Sequence, residues 1–177
     1  MKIAIHQPSF IPHFPFFDKM AQCDKFVILT ECQFEKNNTL NRQMIFGKWW
    51  TKPVENGNIA IMDKRYTSGQ LLLDVNLAWI VAIAKLLEID TKKIVFDIET
   101  DKTKTERIIE ICKHYKGDEY LASAASPDKY LDIKILEDNG IKFVPMQERY
   151  KKHVFELINE HGVEGVTKIL KKNGKPS

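Results

Sequence analysis

Two polar groups in the first third of the chain carry residue types that do chemistry. His6 and Gln7 follow one short β-type run, and Gln33, Lys36, Asn41 and Arg42 follow another. A histidine at a strand end can act as a general base or as a hydrogen-bond donor. An arginine can clamp a phosphate or carboxylate through two parallel hydrogen bonds. Gln33 and Asn41 suit the orientation of sugar hydroxyls or an amide, and Gln7 and Lys36 extend the same polar surface. The structural alternative is that His6 closes a strand end while Gln33 and Asn41 satisfy loop backbone. Together His6, Gln33, Asn41 and Arg42, four polar groups on two strand-end loops, exceed what turns require, which favours a working site.

A second candidate is Lys104 with Thr105, at the opening of a helix directly after a strand. Helix N-termini attract anions through free N–H groups and the dipole, so a phosphate of a nucleotide sugar suits this place. The plainer alternative is a capping box between Thr103 and Glu106. No glycine-rich phosphate loop of the Walker or Rossmann pattern occurs, so no cofactor is expected. Cys32, beside Gln33, is a nucleophile or, more simply, a small buried residue. Cys23, Cys32 and Cys112 are an odd set with no zinc spacing, and the five histidines never form a His-x-x-x-His pair. No metal is expected.

These residues need elements to position them. Residues 2–5 read as a strand, and Pro8, Pro12 and Pro15 impose a rigid loop before a helix at 16–22. Residues 26–29 form a buried-strand run. Asn56-Gly57, between β-like stretches at 49–54 and 58–62, predicts a hairpin. There Trp49 and Trp50 face opposite sides, with one of them in the core. Ser68 opens a helix to about Leu87, whose Trp79 and Ile83 are expected to face the sheet. Residues 93–98 form a strand, 103–115 a helix ending before Gly117, and 119–122 another strand. Ser126-Pro127-Asp128 starts a helix that stops at Asn139-Gly140. A strand at 141–144 and two helices separated by Gly162 complete the chain.

The second half alternates helix and strand, which predicts parallel strands joined by crossover helices. The expected fold is a single doubly wound, mostly parallel α/β domain over residues 1–177 with an added antiparallel hairpin and a basic tail at 168–177. In such sheets ligands lie beyond the carboxyl ends of the strands, where the loops after the first two strands meet if those strands are neighbours.

Composition limits the partners. The chain has 177 residues, 27 basic and 24 acidic, and a net charge of +3. This permits a small anionic metabolite but does not support nucleic acid. The most apolar run, at 71–87, is interrupted by Asp74, Asn76 and Lys85 and falls short of the roughly 20 apolar residues a membrane span takes. The opening residues do not make a signal peptide, and the cysteine usage suits a reducing compartment, so a cytoplasmic location without membrane contact is expected.

His6-Gln7-Pro8, Ile11-Pro12, Phe17-x-Lys19, Asp24-x-Phe26-Val27, Gln33-Phe34-x-Lys36 and Asn41-Arg42 together resemble the opening of the WbqC-like proteins. Residues 104–109, Glu119-Tyr120-Leu121, Tyr130-Leu131 and Gly140-Ile141 are similar to that family's second half. The resemblance implies a bacterial transferase of surface polysaccharide (O-antigen) biosynthesis, moving an aminoacyl or acyl group onto an activated amino sugar such as a nucleotide sugar. The chain departs from the family at His13 and Pro15, at the glycine-free turn of residues 122–126, at Lys168, and in a shortened stretch before Ser68. Two alternatives remain open: an enzyme transferring nucleotidyl or aminoacyl groups to nucleotides or modified bases, and a non-catalytic binding module.

Overall fold

The computed structural model describes residues 1–35, 38–57, 59–146 and 150–173. Lys36, Asn58 and the end of the basic tail lie outside them. The central sheet has five parallel strands: β1 (Lys2–His6), β2 (Lys25–Ile28), β5 (Ile94–Phe96), β6 (Glu119–Ser123) and β7 (Lys142–Met146). Their order is β5-β2-β1-β6-β7, so the chain builds outward on one side of β1 and then returns to build on the other. A separate antiparallel pair, β3 (Arg42–Ile45) and β4 (Lys48–Thr51), forms the added hairpin. The α/β class and the parallel sheet agree with the sequence.

Strand periodicity divides the core. Ala4, Phe26, Ile28 and Leu121 face one side, where α1 (Phe14–Gln22), α2 (Leu72–Leu86) and α5 (Val154–Asn173) pack. Ile3, Ile5, Val27, Tyr120 and Ala122 face the other, against α3 (Lys104–His114) and α4 (Ile133–Asp138). Residues two apart share a face, so both faces of each central strand are apolar, as a sheet covered on both sides requires. Gly162 has φ +67 and ψ 168, which kinks α5 into the two helices expected there.

A third apolar cluster, including Phe34, Leu40, Ile61, Tyr66 and Leu72, underlies the long connection from β2 to β5. Its polar keystone is Asn76, which interrupts the apolar run at 71–87. The Asn76 amide donates to the carbonyls of Pro8 (2.7 Å) and Leu40 (2.8 Å) and accepts from the Tyr66 hydroxyl (2.6 Å). A fully buried amide survives because its bonds are made. They pin the proline loop after β1 to the hairpin-bearing connection.

Several local expectations are corrected. The hairpin turns at Phe46-Gly47, not Asn56-Gly57; both turn residues have positive φ, +50 and +72. Trp49 and Trp50 do face opposite ways, but both are exposed, because this two-stranded pair lies outside the main sheet. α2 starts at Leu72 with no side-chain cap, and the Ser68 hydroxyl bonds Gln70 instead. Ile83 is buried as expected, whereas Trp79 is 40% exposed and lies edge-on to Phe155 of α5. Thr103 precedes α3 without a side-chain capping bond. Ser126-Pro127-Asp128 forms a turn, and α4 begins later, capped by the Asp132 carboxylate accepting from the Ile135 N–H. For the hairpin and for α4 a turn or cap signal was present, but tertiary packing used Phe46-Gly47 and Asp132 instead.

Candidate functional site

β1 and β6 are neighbours, yet the chain visits β2 and β5 between them. Strand order reverses at β1, and at such a switch point the loops on either side diverge and leave a crevice at the carboxyl edge. A cavity of about 330 Å3 opens there. Ile5, His6 and Gln7 come from β1 and its loop, and Leu29 follows β2. Lys19 comes from α1, while Lys104, Arg107, Ile108 and Ile111 come from α3. Tyr120 of β6 and Tyr130 of the following loop close the wall. The floor is aliphatic, and its polar wall carries three cations and no carboxylate among the described residues.

The cations are held by the fold. Arg107 is mostly buried, and its guanidinium pairs with Asp97, whose carboxylate is fully buried just beyond β5. Asp97 also accepts from the Thr30 N–H and hydroxyl, both at 2.7 Å. The carboxylate thus fixes Arg107 from behind, and the Arg107 Nε has no protein acceptor. Lys19 is buried within the C-terminal half of α1. Lys104 has φ +49, an uncommon conformation for a side chain with a Cβ and a recurrent mark of functional sites.

His6 lies at the cleft with its ring edge-on to Phe16, centroids 4.8 Å apart. Burial, reinforced by the nearby Lys19 charge, pushes its pKa down to about 3, and the bond to the Gln7 carbonyl only partly opposes this. The ring is therefore neutral near pH 7. Its Nδ1 lies 2.9 Å from the Gln7 carbonyl, an acceptor, so Nδ1 carries the proton and Nε2 keeps a lone pair. In this tautomer His6 offers Nε2 to a ligand as an acceptor, and Nδ1–H is already used by the Gln7 carbonyl.

Of the sequence candidates, His6, Gln7 and Lys104 line the cleft. Gln7 also joins the loops after β1 and β2, donating to the Cys32 sulfur at 3.8 Å and accepting from the Asn38 amide at 3.4 Å. Thr105 serves structure: its hydroxyl donates to the Tyr130 carbonyl (3.2 Å) and accepts from the Asp132 N–H (2.8 Å). Gln33 is exposed and forms a bridge with Ala60. Asn41 is buried at the base of the hairpin, its amide donating to the Lys52 carbonyl. The Arg42 guanidinium sits over the Trp49 ring at 4.8 Å on the hairpin. Neither Gln33, Asn41 nor Arg42 lines the cleft. Burial raises the Cys32 pKa, leaving a protonated thiol.

Lys19 and Arg107 are site residues that the sequence pattern does not single out. They sit inside helices, where basic residues usually mean a solvated face. The available signal was position: each lies on a helix that follows a strand of the expected parallel sheet.

Among the described residues no cluster of three or more His, Cys, Asp or Glu side chains forms a metal site, and no helix is long and apolar enough to cross a membrane. Comparison with curated proteins and with solved structures found no match. The sequence model of the WbqC-like protein family matches residues 7–70 and 58–157, beginning just after β1 and taking in β6 and all of the cleft's cations. The chain therefore belongs to the WbqC-like protein family.

Proposed function

We propose that the cleft binds a small anionic metabolite of the nucleotide-sugar class and that the protein transfers an acyl or aminoacyl group to an amino sugar held there, in bacterial surface polysaccharide synthesis. The observation that carries this reading is the gathering of Lys19, Lys104 and Arg107 around His6 above an aliphatic floor at the strand-order switch. The lining carries basic side chains and no carboxylate, although Asp97 behind it shares the Arg107 charge, and such a wall attracts phosphate or carboxylate, the more so where water is partly excluded. In the transfer, the sugar amine attacks the acyl carbon, the new C–N bond forms, the acyl group leaves its carrier and the amine proton passes to solvent. The His6 lone pair suits a hydrogen bond from the attacking amine.

A non-catalytic binding module is the second reading, favoured by the depressed pKa of His6, since general bases work best with a pKa near the operating pH. Thermal melts with nucleotide sugars, free nucleotides and acyl donors test the binding. A ligand at 100 times its Kd adds about 2.7 kcal/mol of stability. Absence of any shift across the panel would reject the anion cleft. Binding without acyl transfer to the amino sugar would favour the module.

A further inference from the structure

A second cavity, of about 510 Å3, abuts the cleft and opens more widely to solvent. Both are lined by Lys104 and Tyr130. The outer one adds Pro127, Lys129 and Leu131, together with Asp128 and Asp132; Asp132 already accepts the N–H of Ile135 as the cap of α4. The result is one continuous site in which Lys104 and Tyr130 form a neck between the aliphatic-floored inner room and a more open shelf.

Tyr130 is built as a fixed part of that shelf. Its hydroxyl bonds the buried Ser126 hydroxyl at 3.1 Å and meets the Tyr120 hydroxyl at 3.4 Å. Its carbonyl accepts from Thr105 of α3 at 3.2 Å. The residue is nonetheless 39% exposed. A tyrosine anchored at its hydroxyl and its backbone, yet open to solvent, is a ready stacking surface for a planar ring. The strained backbone of Lys104 places a cation at the neck, between the two rooms.

Resting on the anionic-metabolite reading above, we infer that the site takes a nucleoside diphosphate-linked sugar lengthwise. The glycosyl part enters the inner room beside His6, the diphosphate lies at Lys104 in the neck, and the base stacks on Tyr130 on the outer shelf. Lys104 is therefore the residue that holds the phosphate, and Tyr130 the one that selects a nucleotide-linked sugar over a simple sugar phosphate.

The test is calorimetric titration of the whole protein with UDP-, dTDP- and GDP-hexoses, the free nucleoside diphosphates and hexose 1-phosphate. At least one nucleotide sugar should bind tenfold or more tightly than hexose 1-phosphate. Tyr130→Ala should weaken that nucleotide sugar and its diphosphate about tenfold and leave hexose 1-phosphate within twofold. Tyr130→Phe should stay within twofold throughout, and Lys104→Met should weaken every phosphate-bearing probe. Equal affinity for sugar nucleotide and sugar phosphate, or equal losses on both in Tyr130→Ala, would overturn the lengthwise arrangement while leaving the anion cleft standing. No binding by any probe would overturn both.

Discussion

Asp97 holds Arg107 from behind: its fully buried carboxylate pairs with the guanidinium at the carboxyl ends of β2 and β5, while the other side of Arg107 lines the cleft. The same carboxylate accepts two bonds from Thr30. Removing one partner of a buried pair leaves an uncompensated charge and costs about 3–5 kcal/mol. Asp97→Ala should lose that much in urea unfolding. A loss under about 1 kcal/mol would mean that Arg107 is positioned some other way.

The pH response follows from two histidines. Burial lowers the pKa of His6 to about 3 and that of His153 below its ordinary 6.5; for His153 a bond to the Ile11 carbonyl opposes the shift and His13 adds to it. Both bind fewer protons folded than unfolded below about pH 6.5, so their contribution to stability is complete above that pH and is lost as pH falls, toward 3 for His6. Each adds a slope of at most about 1.4 kcal/mol per pH unit. Urea midpoints between pH 7 and 4 should fall accordingly, and His6→Gln should flatten the curve. An imidazole NMR titration of His6 with a midpoint near 6.5 would contradict the lowered pKa.

Arg42 belongs to the hairpin, stacked on Trp49, and not to the cleft. Arg42→Lys should leave the affinity for a nucleotide sugar within twofold and alter Trp49 fluorescence. A tenfold loss of affinity would bring the hairpin back into the site.

The two large residues of α2 should behave differently. Ile83→Ala, at a buried position, should cost about 2–5 kcal/mol, as large-to-small core changes do. Trp79→Ala, at a position 40% exposed, should cost only about 1 kcal/mol. Comparable losses in denaturant melts would mean that Trp79 is covered in solution.

Gly117 is constrained by space. Lys116 already occupies the left-handed position after α3, with φ +57, and a Cβ on Gly117 would collide with the Ile3 side chain. Gly117→Ala should destabilise by about 1–3 kcal/mol, the usual cost of overpacking, measurable as a lower melting temperature.

Sequence alone determined what depends on a residue's own neighbours along the chain. The alternation of helix and strand specified the parallel α/β sheet, and the apolar runs named most of its strands. The chemistry of His6-Gln7 at a strand end marked one wall of the cleft. The kink at Gly162 was equally legible, because a glycine between two periodic stretches acts locally. Tertiary structure decided what depends on strand order. Lys19, the Lys104–Arg107 turn of α3 and Tyr130 come from three separate parts of the chain and converge because β1 and β6 pair after the chain has turned back. The same packing moved Asn41 and Arg42 to the hairpin and left Trp79 at the surface. It also made Asn76, which looks like an interruption of an apolar run, the bond that ties the proline loop in place. Periodicity reports which side of an element is apolar, whereas the partner that side meets is fixed only when all elements pack together, and a cleft is made of such meetings.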